Sequence, residues 1–112
     1  MKSYTNIEQS NALAKFLPLE SADMLWEQHG AEPYVTIKPW TTIGKSIGCH
    51  CLSCWSLAAL LSVLPKINGL KPILDLEENS IQYTGIDLYV VADNPVDACV
   101  AMIIKLHEFN LL

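Results

Sequence analysis

Three short runs between Ile73 and Ala92 alternate in hydropathy and follow one another almost without a break, and this spacing most limits what the chain can fold into. Leu74 and Leu76, Ile81 and Tyr83, and Leu88 and Val90 recur at period two, the repeat of a half-buried strand. Turn-forming residues separate the runs, Glu78-Asn79-Ser80 in the first gap and Gly85 in the second. A parallel pair needs a crossover of roughly a dozen residues or more, and no gap offers that length. Strands at about Ile73 to Glu77, Ile81 to Thr84 and Asp87 to Ala92 are therefore expected to be antiparallel.

The flanking segments read as helices and a second hairpin. Thr5 followed by Glu8 has capping-box spacing and predicts a first helix from about Asn6 to Phe16, stopped by Pro18. Met24 to Gln28 and Tyr34 to Lys38 are rich in aromatic and β-branched residues around a turn at His29 to Pro33, the pattern of a hairpin. A loop from Pro39 to Cys51 follows, and Ser53 is placed to cap a second helix from about Cys54 to Leu64. That helix is apolar nearly all round, so it is expected to be covered on more than one side, by a sheet and by a neighbouring helix or a second copy of the chain. Asp93-Asn94-Pro95 is a helix start, with Val96, Cys99, Val100, Ile103 and Leu106 as the inner stripe of a third helix reaching Glu108. The order α-β-β-α-β-β-β-α over residues 1–112 predicts one α+β domain, an antiparallel sheet packed by three helices.

Charge narrows the function. All seven basic residues are Lys, the formal net charge is −5, and no basic residue lies between Pro72 and Ile104, where six acids fall. Phosphate neutralisation and the bidentate Arg fork are both missing, so nucleic acid is not the expected partner. Anionic membranes are repelled for the same reason. Neither a signal segment nor a membrane-spanning run is apparent, and a cytoplasmic location is expected.

The chemistry-bearing residues cluster at Gly48-Cys49-His50-Cys51-Leu52-Ser53-Cys54-Trp55. Cys49, His50, Cys51 and Cys54 would be the ligands of a structural zinc site, although such sites draw their ligands from two separated knuckles. Cys51 and Cys54 also have the spacing of a redox pair, with Cys54 at a helix start, where the dipole favours thiolate. Reduced thiols beside a buried helix are the simpler reading, which leaves no cofactor and no enzymatic activity expected. Gly44-Lys45-Ser46 resembles the end of a phosphate loop, but the earlier glycine it requires is Pro39. His29 reads as a turn residue, and His107 as a cation at the end of the third helix. Trp26, Trp40 and Trp55 read as easily as anchors for a core or an interface as they do as a ligand cage, with the core favoured for Trp55 and the choice open for Trp40.

Three phrases together, Leu17-Pro18-Leu19-Glu20-Ser21-Ala22-Asp23-Met24, Cys54-Trp55-Ser56-Leu57 through Pro65, and Ala92-Asp93-Asn94-Pro95 through Glu108, resemble a family of small uncharacterised proteins of gut Bacteroidales, their prophages and phages. Members usually have Pro at the position of Ser53 and lack Cys49 and Cys51, so within the cluster the resemblance extends to Cys54 alone. A mobile-element setting implies a small non-enzymatic binding protein that engages a host protein or sequesters a nucleotide-like signal. Trp40, Lys45, His50 and Cys54 are the expected contact residues, with Lys38, Lys45 and the amides of the Gly44 to Gly48 loop as the means of holding phosphate. A homo-oligomer could complete such a pocket. A Cys-rich loop with structural zinc or thiol chemistry is the alternative.

Overall fold

Asn6, rather than Thr5, caps the first helix. In the computed structural model, which describes residues 2–28, 33–37 and 50–112, the chain runs α1 (Ile7–Ala14), a 3-10 turn (Leu19–Ser21), β1 (Met24–Gln28), β2 (Tyr34–Ile37), β3 (His50–Cys54), α2 (Leu57–Val63), β4 (Ile73–Asp75), β5 (Ser80–Tyr83), β6 (Leu88–Val91) and α3 (Pro95–Glu108). The α+β class and the order of helices and hairpins are as the sequence predicts, with β3 added. At the start of α1 the Asn6 side chain accepts from the Gln9 amide at 2.8 Å, and the Gln9 side chain accepts from the Asn6 amide at 3.1 Å. This reciprocal pair is a capping box shifted by one residue from the expected position. Thr5 is unavailable for capping because its hydroxyl is committed inside the core.

The strands form two antiparallel sheets rather than one, ordered β2-β1-β3 and β4-β5-β6. β3 replaces the expected start of the second helix: Ser53 lies opposite Leu25 and Cys54 opposite Met24. Ser56 caps α2 instead, its hydroxyl accepting from the Ala59 amide. Pairing with β1 satisfies the backbone of residues 50–54 in a ladder, so the helix begins only after Trp55.

α3 packs against β5, β6 and α2, and α1 lies on β3. Its expected stripe of Val96, Cys99, Val100, Ile103 and Leu106 is buried, and Ala98 and Met102 widen it. Trp55, Leu13, Leu60, Leu64 and Ile81 complete a single apolar cluster around it. The Tyr83 hydroxyl donates to the Pro65 carbonyl at 2.7 Å, and burial pushes its pKa up to about 12. α2 is less enclosed than its composition suggests, because Ala58 and Ser62 remain exposed on its outer side. Lys71 donates to the Leu64 carbonyl at 2.7 Å, which satisfies one of the free carbonyls at the helix end.

One polar network joins the starts of α1 and α3. Asp97 Oδ1 accepts from Lys2 Nζ and Gln9 Nε2, both at 2.8 Å, and Oδ2 accepts from Asn94 Nδ2 at 2.9 Å. Burial alone would raise the Asp97 pKa, but the bonds from Lys2, Gln9 and Asn94 together with the Lys2 charge outweigh it, and the net shift is downward. A depressed folded-state pKa contributes stability above the unfolded-state value, lost as pH falls through the folded value. In urea titrations from pH 7 to pH 2, Asp97→Asn should therefore flatten the acid limb of stability, and an unchanged limb would remove Asp97 as its source.

Candidate functional site

The chain between α1 and β1 is held against α2 by side chains that leave a cleft between them. Pro18 turns the backbone out of α1, and Leu19–Ser21 form the 3-10 turn. Ser21 Oγ donates to the Pro18 carbonyl at 2.6 Å and accepts from Trp55 Nε1 at 2.9 Å, so a buried indole fixes the turn from beneath. Asp23 then reaches the start of α2: one carboxylate oxygen accepts from the Ser56 amide at 2.9 Å and the other from the Ser56 hydroxyl. These ties set the separation of the two walls.

The cleft has a volume of about 640 Å³, within the usual size range of small-ligand and side-chain pockets. Leu17, Pro18, Glu20, Ser21, Ala22 and Asp23 form one wall. The other is Ala58, Ala59, Ser62 and Val63 of α2, and Leu112 closes an end. The side chains are mostly small and apolar, and the two charged lining residues, Glu20 and Asp23, are both carboxylates at exposed positions. Asp23 is committed to the cap of α2, whereas the Glu20 carboxylate makes no hydrogen bond or ion pair among the described residues. No cation among the described residues lines the cleft. A second hollow, about 270 Å³, lies among Lys2, Ser3, Tyr4, Asn6 and Trp26. Trp26 is fixed there by a bond from its Nε1 to the Thr5 carbonyl at 3.0 Å and an edge contact with Tyr4.

Trp40, Lys45 and Cys49 lie outside the described residues, as do Lys38, His29 and the Gly44 to Gly48 loop. His50 and Cys51 are placed by their backbone in β3, opposite Gln28 and Glu27. Cys54, expected among the contact residues, is instead fully buried. Its thiol donates to the Thr5 carbonyl at 3.4 Å and accepts from the Thr5 hydroxyl at 3.6 Å. The helix start that the alternative redox reading requires does not occur at Cys54, which ends a strand. Burial instead pushes its pKa up, against the lowering bonds from Thr5 and Ser10. Three strand steps place the Cα atoms of Cys51 and Cys54 about 10 Å apart, beyond the reach of a disulfide. Cys99 is a core residue, as expected, with its thiol pushed up to about 11 by burial. No group of three or more metal-ligating side chains occurs among the described residues. His107 stacks on Phe16, ring centroids 3.9 Å apart, at the end of α3.

Native alkylation with iodoacetamide should thus leave Cys54 and Cys99 unmodified, and urea should expose both. Peptide mapping by mass spectrometry reads the two sites separately, and native labelling of Cys54 would contradict its burial.

Comparison with protein-family models, with curated proteins and with solved structures finds no match for this chain. The candidate site therefore rests on geometry. Sequence reasoning passed over the cleft because its residues are mostly small or aliphatic and its two acids, Glu20 and Asp23, fall in no recognisable motif. One signal was available: Ala58 and Ser62 stand four residues apart and interrupt the apolar girth of α2 on one face.

Proposed function

We propose that this chain is a small non-enzymatic binding protein that engages a host protein through the cleft between the 17–23 segment and α2, in the phage or mobile-element setting its motifs imply. The observation that carries this reading is the cleft, a preformed apolar hollow whose two walls are tied together by Trp55, Ser21, Asp23 and Ser56. Rigid walls favour binding because little conformational entropy is lost when the site is filled. Two of the three phrases that carry the resemblance, Leu17 to Met24 and Cys54 to Pro65, build the opposite walls, and the third forms the helix behind them. Exposed residues in those phrases, Glu20, Ala58 and Ser62, contribute little to the core and are available to a partner.

The lining also bears on the choice between a protein and a nucleotide-like signal. Among the described residues phosphate would meet Glu20 and Asp23 in this cleft and no compensating cation, which favours the protein. Ala58→Trp fills the hollow from an exposed position and is expected to leave the fold intact. Wild type and Ala58→Trp would be used as baits in host lysate, with Gln82→Ala on a distant strand as control. A stoichiometric protein held by wild type and the control but lost by Ala58→Trp supports the reading. Equal capture by all three rejects the cleft, and a nucleotide retained in native mass spectra would replace the protein with a small ligand.

A further inference from the structure

An apolar hollow with carboxylates at its rim discriminates among the side chains that could enter it. The floor provided by Leu17, Ala22, Ala59 and Val63 rewards burial of an aliphatic group, since apolar surface removed from water is stabilising whatever its exact shape. Burial is non-directional and selects for size more than identity. Charge adds the selection. Glu20 stands exposed beside this floor with no hydrogen-bond or ion-pair partner among the described residues, and Asp23 adds a second negative charge whose position is fixed by Ser56. The whole chain has net charge −5, and no cation among the described residues lines the cleft.

We infer that the cleft recognises a protein segment presenting an aliphatic side chain next to a Lys or Arg, the aliphatic group seated on the alanine and valine floor and the cation at Glu20. This inference rests on the cleft being the binding site and adds the chemistry of its occupant. The aliphatic side chain supplies affinity, and Glu20 supplies preference. A neighbouring acid on the segment would be repelled by both rim carboxylates, so acidic segments are excluded by charge even when their apolar residues fit.

The test uses three capped tripeptides of sequence leucine-lysine-leucine, leucine-glutamine-leucine and leucine-glutamate-leucine, titrated into the isotope-labelled full chain and followed by amide chemical shifts. The expected result is saturable shifts at Ser21, Ala22, Ala58, Ala59 and Ser62, with the lysine peptide binding about fivefold tighter than the glutamine peptide at low salt, the size expected for one added charge pair near the surface. The preference should shrink toward unity as salt is raised and screening shortens the reach of Glu20. Glu20→Gln should lose most of the preference for the lysine peptide over the glutamine peptide, Asp23 alone sustaining the remainder, while retaining the leucine-dependent shifts. Equal or stronger binding of the glutamate peptide, or a lysine preference unchanged in Glu20→Gln, would overturn the inference and leave the cleft as a site. Absence of shifts at the cleft with all three peptides would overturn the site itself, and the inference with it.

Discussion

Replacing Thr5 with Val is expected to destabilise the fold by about 2–4 kcal/mol although the two side chains have nearly the same shape. Thr5 is completely buried, and its hydroxyl accepts from the Trp55 amide at 3.1 Å, pairs with Ser10 Oγ at 2.8 Å and lies 3.6 Å from Cys54 Sγ. One donor hydrogen and two lone pairs serve all three contacts, with Ser10 and Trp55 donating and Cys54 accepting. Valine would leave a buried backbone N–H and a buried serine hydroxyl without their partner, at about 1–3 kcal/mol each. Ser at this position keeps the hydroxyl and removes one methyl, which costs about 1 kcal/mol. Urea titrations of the three proteins separate polar satisfaction from volume. A Thr5→Val midpoint matching wild type would show that the hydroxyl contributes nothing there.

Trp55→Ala should cost still more, about 3–5 kcal/mol, which for a domain of ordinary stability approaches complete unfolding. The indole has no exposure to solvent and lies in the main apolar cluster with Leu13, Leu60 and Leu64. Its Nε1 also holds Ser21, so the substitution removes a core anchor and loosens one wall of the cleft together. Trp55→Phe distinguishes the two losses. It retains most of the packing, so the urea midpoint should fall only part of the way, while peptide binding at the cleft should weaken as Ser21 loses its donor. A Phe variant with unaltered cleft shifts would mean that the Asp23–Ser56 tie suffices to hold the wall.

The second half of the chain was the more legible. Asp93-Asn94-Pro95 and the stripe from Val96 to Leu106 carry their own cap and periodicity, and the turns at Asn79 and Gly85 fix a meander that local residues determine. Asn79 and Gly85 both take positive φ, the conformation those residue types tolerate best. The region around Cys54 was harder to read because its structure is decided at a distance. A serine before an apolar run is a sound capping signal, which is why Ser53 reads as the cap; pairing with β1 and the carboxylate of Asp23 move that role to Ser56. The same holds for α1, where long-range demands on Thr5 hand the cap to Asn6. Of the candidate site, the sequence suggested chemistry in cysteines and a lysine loop. The cleft arises from ordinary residues brought together by tertiary contacts, and the i, i+4 pair Ala58 and Ser62 is its one local trace.

The polar stitching of residues 2–5 bears on how the chain reaches its folded form. Thr5 meets Cys54 and Trp55 across 49 and 50 positions, and Lys2 meets Asp97 across 95. Contacts of such separation slow folding, since the closing of long loops must precede any reward from them. During synthesis the first residues emerge long before their partners: Thr5 can close only once Cys54 and Trp55 appear, and Lys2 only once Asp97 does. β4 to β6, by contrast, can pair as soon as they emerge. The nascent chain should therefore pair β4 to β6 as soon as each strand follows the last, and fasten Lys2 to Asp97 only after that meander is made.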